Sequence, residues 1–206
     1  MHRCWQTLLP LVLSLGIANV AAAGETLYAP CAACHGENGE GNPALNAPAL
    51  AAQSAAYVSR QLRNFKNGVR GAADGDIYGA QMLPFAATLK DDNDIQVIAD
   101  FVAAMPAVST LPSIDGDSAA GEKQYQSKCG ACHGSSGQGN DALNSPRIVG
   151  IGDAYLVRQV KAYQSGLRGA AAGDTYGKQM AMMAALVRDA ELHDIAAYLN
   201  ETSAER

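Results

Sequence analysis

Along most of this chain, apolar residues recur at the three- and four-residue spacing of helices, between stretches rich in Gly, Asn and Pro. In the segment 54–67, Val58, Leu62 and Phe65 share one face, and Gly68 follows as a stop signal. The other predicted helices cover residues 19–35, a segment from Asp91 or Asp92 to Pro106, a segment beginning near Ser118, a segment capped by Asp153 that runs through Ser165, and a terminal helix marked by Leu192, Ile195 and Leu199. No run of β-branched residues of strand length stands out beyond the N-terminus, so the pattern predicts an all-α protein.

The stretches between these helices are predicted to be loops. Residues 36–52 and 69–85 form the two longest ones in the first half, and the second of them contains Met82. Residues 201–206 are expected to form a solvated tail.

The chain also contains a long internal repeat. A shift of 98 residues, from position 31 to position 129, makes about half the positions identical with no gap, as far as Met82 and Met180. The identical pairs include Pro48 and Pro146, Tyr57 and Tyr155, Arg60 and Arg158, Gln61 and Gln159, Arg70 and Arg168, and Tyr78 and Tyr176. Such a repeat indicates the tandem duplication of one small unit. We expect the first unit at residues 24–106, a linker at 107–116 and the second unit at 117–206.

The N-terminus has the pattern of an export signal. A short positive region precedes an apolar core at residues 8–18 and a small-residue cleavage pattern at 21–23, so residues 1–23 are predicted to be a signal peptide. Cleavage after Ala18 is the alternative, because it would leave Asn19 as a helix cap. A membrane anchor is the other interpretation, for which the apolar stretch is short.

Near its start, each unit contains the pattern C-x-x-C-H, the attachment signature of c-type haem. Two thiols one helical turn apart add to the two porphyrin vinyl groups, and the following His ligates the iron. The pattern therefore predicts two covalently bound haem c groups, attached through Cys31, Cys34, Cys129 and Cys132, with His35 and His133 as proximal ligands. Removal of the signal removes Cys4 and leaves only these four cysteines. Disulfides and a structural zinc site are the alternative uses of two Cys pairs.

The sixth iron ligand is predicted to be a methionine in each unit. Met82 and Met180 occupy the same register of the repeat, each preceded by Gln, and a thioether ligand raises the potential of a haem. Met182 and Met183 compete with Met180, and all of these methionines could instead fill gaps in the core.

Two further repeated pairs are candidates for binding the haem propionates. Arg70, Arg168, Tyr78 and Tyr176 precede the methionines and could donate hydrogen bonds to these carboxylates. The alternative is that the arginines are surface residues and the tyrosines pack.

Two C-x-x-C-H units in tandem, each followed by a methionine near its last helix, resemble the dihaem cytochrome c4 family. The resemblance covers essentially the whole mature chain and implies two class I cytochrome c domains. It implies a periplasmic electron carrier, not an enzyme, that delivers electrons to a terminal oxidase from a donor on the quinol–cytochrome c reductase side. Similar dihaem proteins are electron-accepting subunits of sulfur-compound dehydrogenases, which is the alternative. The family also implies that the carbonyls of Pro48 and Pro146 bind the proximal histidines.

Charge narrows the range of partners. The 206 residues carry a net charge of −5 and no basic patch stands out, so nucleic acid is not an expected partner. We expect transient redox partners with neutral or basic faces, and at most peripheral contact with a membrane.

Overall fold

The computed structural model describes the backbone of residues 14–204 and the side chains of residues 22–204. Residues 1–13 of the predicted signal peptide and residues 205–206 of the predicted tail lie outside this range. The described chain is helical, and its only β pairing consists of two isolated bridges, Asn42 with Ala47 and Asn140 with Ser145. The predicted all-α class is therefore confirmed.

The two halves repeat one plan. The helices of the first half are α1 (Ser14–His35), α2 (Ala55–Lys66), α3 (Ile77–Ala80), α4 (Met82–Thr88) and α5 (Asp92–Ala104). Those of the second half are α6 (Ser118–Lys128), α7 (Gly130–His133), α8 (Asp153–Gln164), α9 (Thr175–Ala184) and α10 (Asp189–Ala204). Each half has its own apolar core, centred on Ile95, Ile98 and Val102 in the first and on Leu192, Ile195 and Leu199 in the second.

A glycine allows the first and last helices of the second half to pack closely. A Cβ at Gly121 on α6 would overlap the carbonyl oxygen of Asp194 on α10. One turn later the buried Tyr125 ring lies 5.5 Å from the ring of Tyr198, and its hydroxyl donates to the Gly134 carbonyl. This contact fixes the helix that leads into the second C-x-x-C-H motif.

The first half uses the same arrangement. A Cβ at Gly24 on α1 would lie 2.8 Å from the side chain of Phe101 on α5. The ring of Tyr28 lies 5.4 Å from the Phe101 ring, and its hydroxyl donates to the Gly36 carbonyl. The repeated glycine and tyrosine thus have the same role in both halves, close helix approach followed by aromatic packing.

Three local predictions are wrong: the loop at 69–85, the solvated tail at 201–206 and the Asp153 cap. The stretch 69–85 is not one loop, because α3 and the start of α4 lie within it and Met82 is the first residue of α4. Met180 likewise lies within α9. The expected solvated tail continues α10 as far as Ala204, and Ser203 is buried.

Asp153 was expected to cap α8, but it is the first residue inside that helix, and Gly152 takes the cap position. Its buried carboxylate accepts hydrogen bonds from the backbone N–H and hydroxyl of Ser113, both at 2.6 Å, and from the Ile114 N–H at 2.9 Å. Burial alone would raise the pKa of Asp153, but these hydrogen bonds and one from Ala154 outweigh burial and lower the pKa. The residue fastens the segment between the halves onto α8.

Candidate functional site

Each predicted proximal histidine is held by a proline carbonyl. Nδ1 of His35 lies 2.9 Å from the carbonyl oxygen of Pro48, and Nδ1 of His133 lies 2.9 Å from that of Pro146. A carbonyl oxygen only accepts, so Nδ1 must carry the proton and Nε2 must carry the free lone pair. The contact implied by the family resemblance is present in both halves, and it leaves Nε2 available for a metal.

Both imidazoles are buried and held neutral. Burial lowers the pKa of His35 and of His133, and the bonds to the proline carbonyls offset only part of that effect. A neutral imidazole is the form that ligates iron, so no proton has to leave at neutral pH.

None of the four cysteines of the motifs forms a disulfide. Burial raises the pKa of the Cys129 thiol to about 11, although Lys128 acts to lower it, while the Cys132 thiol is exposed. Across residues 22–204, no three His, Cys, Asp or Glu side chains are grouped so that they could hold a metal ion.

A cavity of about 270 Å³ lies against the second motif. Cys129, Cys132 and His133 line it, together with Met180 and Met183. Its walls are largely apolar and include Leu143, Ile148, Ile151, Leu156, Val160 and Leu192. Two thiols, a neutral imidazole and a thioether around one apolar space fit a covalently attached haem.

Exposure separates the three candidate methionines of the second half. Met182 is 66% exposed and does not line the cavity. Met183 lines it but is 39% exposed, whereas Met180 lines it and packs against the buried core. In the first half, Met82 is half-buried at the start of α4.

Arg70 and Arg168 are buried between the halves rather than lying at the surface. Arg70 is 8% exposed and donates to Gln61 of its own half, and to Tyr155 and Gln159 of the other. Arg168 repeats this geometry, with an exposure of 6% and bonds to Gln159, Tyr57 and Gln61.

Tyr78 and Tyr176 are partly exposed, and each stacks with an arginine of the other half. The guanidinium of Arg158 lies 4.9 Å from the Tyr78 ring centre, and that of Arg60 lies 4.7 Å from the Tyr176 ring centre. Sequence reasoning did not single out Arg60 and Arg158. The only signal was their identity in the repeat, away from the haem motifs.

A family model described as Cytochrome c matches residues 21–106 and again residues 118–203, so both halves are cytochrome c domains. The chain is 30% identical to cytochrome c4 of Azotobacter vinelandii, over 94% of this chain and 97% of that one. It also matches the crystal structure of reduced recombinant cytochrome c4 from Pseudomonas stutzeri, with a TM-score of 0.69 and 28% identity over 87% of this chain and 97% of that one. The chain therefore belongs to the dihaem cytochrome c4 family, electron carriers with two covalently bound haem c groups.

Another relative is named for its place in sulfur metabolism. The chain is 30% identical to the thiosulfate dehydrogenase electron acceptor of Thiomonas intermedia, over 86% of this chain and 81% of that protein. Within the described part of the chain, every helix is too short or too polar to pass through a bilayer.

Proposed function

We propose that Cys31 and Cys34 attach one haem and that His35 and Met82 hold its iron. In the second half, Cys129 and Cys132 attach the other haem, and His133 and Met180 hold its iron. The observation that carries this proposal is the cavity at the second motif, where two thiols, a neutral imidazole and two thioethers line one apolar space. The repeat transfers the same roles to the first half. The corresponding domain limits are residues 24–106 and 117–206, with 1–23 as signal peptide and 107–116 as linker.

The chain's own residues would hold each iron between two protein ligands. The bond from Nδ1 to a proline carbonyl fixes the orientation of each imidazole and makes Nε2 a stronger donor. Apolar walls at the second site would keep water from the iron. A haem held in this way supplies a reversible one-electron change. Two protein ligands would leave no open position for oxygen or peroxide, which favours electron transfer over catalysis.

The physiological role that we propose is that of a periplasmic carrier. It would take single electrons from a donor on the quinol–cytochrome c reductase side and pass them to a terminal oxidase. The support is the likeness to cytochrome c4 over nearly the full length of the chain. A terminal oxidase that turns over with this protein as its only electron source would establish the role.

The second candidate is the acceptor subunit of a sulfur-compound dehydrogenase. The relative named as a thiosulfate dehydrogenase electron acceptor favours it. Mixing the oxidised protein with such a dehydrogenase and its substrate separates the two roles. Rapid reduction of both haems together with stable association supports the subunit role, whereas slow reduction without a complex supports the free carrier.

The haem assignment is tested by one redox-titrated visible and near-infrared spectrum, with intact mass. We expect a mass increment for two haems, absorption bands that survive acid–acetone extraction, and a sulfur-to-iron band for each ferric iron. A colourless protein from a host that attaches c-type haem would refute the assignment.

A further inference from the structure

Four arginines lie between the two halves, in two pairs related by the repeat: Arg60 with Arg158, and Arg70 with Arg168. Arg70 and Arg168 are buried, and Arg60 and Arg158 are half-buried. Moving cations out of water is costly unless opposite charge compensates for it. The cluster therefore requires a source of negative charge.

The protein does not supply that charge. Across residues 22–204, none of the four arginines forms an ion pair with a carboxylate. Their hydrogen-bond acceptors are all neutral: Asn144, Gln61, Gln159, Tyr57, Tyr155 and the backbone carbonyls of Asn46 and Asn144. The carboxylate of Asp174, which lines the cavity, accepts instead from the Gly177 N–H.

Three of the guanidinium groups also retain an unused donor. The Nε atoms of Arg60, Arg158 and Arg168 are buried and have no hydrogen-bond partner. Buried donors without acceptors are rare in proteins and point to a partner outside the polypeptide. An anionic oxygen is the partner that a guanidinium prefers.

The cavity of the second half lies beside two of these arginines. Its wall is shared between the halves, because Tyr57, Arg60 and Gln61 of the first half line it together with Arg168 of the second. The stacking of Arg60 on Tyr176 and its bond to the Asn144 carbonyl at 2.7 Å hold the guanidinium in place. Arg158 has the same relation to Tyr78 and to the Asn46 carbonyl at 2.8 Å.

We infer that Arg60 and Arg158 each bind the propionate carboxylates of the haem in the opposite half, so that the two halves exchange these arginines. Arg168 and Arg70 bind carboxylates of the haem in their own half. The inference rests on the proposed haem sites, because the haem propionates supply the missing negative charge. Each haem site is then incomplete without the other domain.

The exchange is tested by whether each substitution changes the reduction equilibrium constant of the haem in the opposite half. A positive charge near a haem favours the reduced iron. Arg60→Gln should therefore lower the reduction equilibrium constant of the second haem on the order of tenfold. The constant of the first haem should stay within about twofold of that in the unmodified protein. Arg158→Gln should lower that of the first haem. Proton NMR signals of the axial methionine methyl groups, assigned with the Met180→Ala variant, report each haem separately during the titration.

Arg63→Gln and Lys161→Gln are the matched controls. These two residues occupy one position of the repeat, lie one turn further along α2 and α8, and form surface ion pairs with Asp92 and Asp189. Both substitutions remove one positive charge, and both should leave the two equilibrium constants within about twofold, because solvent screens exposed charge.

The exchange would be overturned if the reduction constant fell for the haem in the mutated arginine's own half. It would also be overturned if the constant of the second haem were the same in Arg60→Gln and Arg63→Gln. If Arg60→Gln does not accumulate with haem, Arg60→Lys serves instead, because it keeps the charge but lacks the planar fork. It should lower the constant of the second haem by less than tenfold and leave that of the first unchanged. The absence of haem from the unmodified protein would refute the haem sites themselves, which is a separate result.

Discussion

At the level of single residues, the second half offers two thioethers to one cavity. Met180 and Met183 both line it, but only Met180 has a methionine at the same register of the first half, because Phe85 corresponds to Met183. Met180 also packs against the core, so its side chain needs less ordering to reach an iron.

Replacing Met180 by Ala should remove the sulfur-to-iron absorption band of one haem and leave that of the other, because one thioether ligand is lost. Loss of that ligand should also lower the potential of the same haem. The measurement is the near-infrared spectrum of the oxidised protein during a redox titration.

Met182→Ala is the control for that substitution, because the side chain is exposed and lies outside the cavity. It should leave both bands in place. If Met183→Ala removes the band and Met180→Ala does not, the ligand assignment is wrong.

Short local patterns made the haem motifs readable from sequence. C-x-x-C-H places two thiols and an imidazole by backbone geometry alone, and the repeat singled out Met82 and Met180. The contacts that Arg60 and Arg158 make with the opposite half were not readable in this way. They depend on how the halves face each other, and no local pattern encodes that.

At the level of helices, the crossing of α6 and α10 depends on Gly121. We expect Gly121→Ala to lower the free energy of unfolding by about 1–3 kcal/mol, because the added Cβ meets a backbone carbonyl that cannot move away alone. Thermal or denaturant unfolding of the haem-loaded protein measures this change.

Gly24→Ala is the matched comparison in the first half. There the added Cβ would lie 2.8 Å from the Phe101 side chain, whereas at Gly121 it would overlap a backbone carbonyl oxygen, so the loss should be smaller than for Gly121→Ala. Equal losses would contradict this account of the two crossings.

The hydrogen bonds of Asp153 make one contribution to stability depend on pH. Because the folded-state pKa is lowered, the contribution is fully present above the unfolded value of about 3.9 and is lost as pH falls through the folded pKa. Asp153→Asn should cost about 1–3 kcal/mol at neutral pH. The difference from the unmodified protein should shrink as pH falls below about 3.9, as measured by unfolding at several pH values.

Asp92→Asn is the control for acid sensitivity, because Asp92 is exposed and forms only a surface ion pair with Arg63. Its unfolding free energy should stay within about 1 kcal/mol of the unmodified value. The linkage would be refuted if the difference in unfolding free energy between Asp153→Asn and the unmodified protein stayed constant down to strongly acid pH.

Helices with a clear apolar face were predicted well, and short ones were not. The pattern located α2 within the segment 54–67, as well as the start of α5 at Asp92. The helix α3 has four residues, which is too short for a period to show. Asp153 looks like a helix cap in sequence, and only its contacts with the segment between the halves reveal its actual role.

At the level of the whole molecule, the net charge of −5 should govern encounters with partners. Electron transfer with a basic redox partner should slow as ionic strength rises, because salt screens the attraction. Stopped-flow rates at several salt concentrations measure this effect. A rate independent of salt would exclude electrostatic steering.

The contact between the halves has the same chemistry on both sides. Arg70 bonds to Tyr155 and Gln159, while Arg168 bonds to Tyr57 and Gln61. Such a self-complementary patch is the kind found at twofold axes of homodimers. A primordial single-haem protein could have dimerised through it before gene fusion joined the two copies.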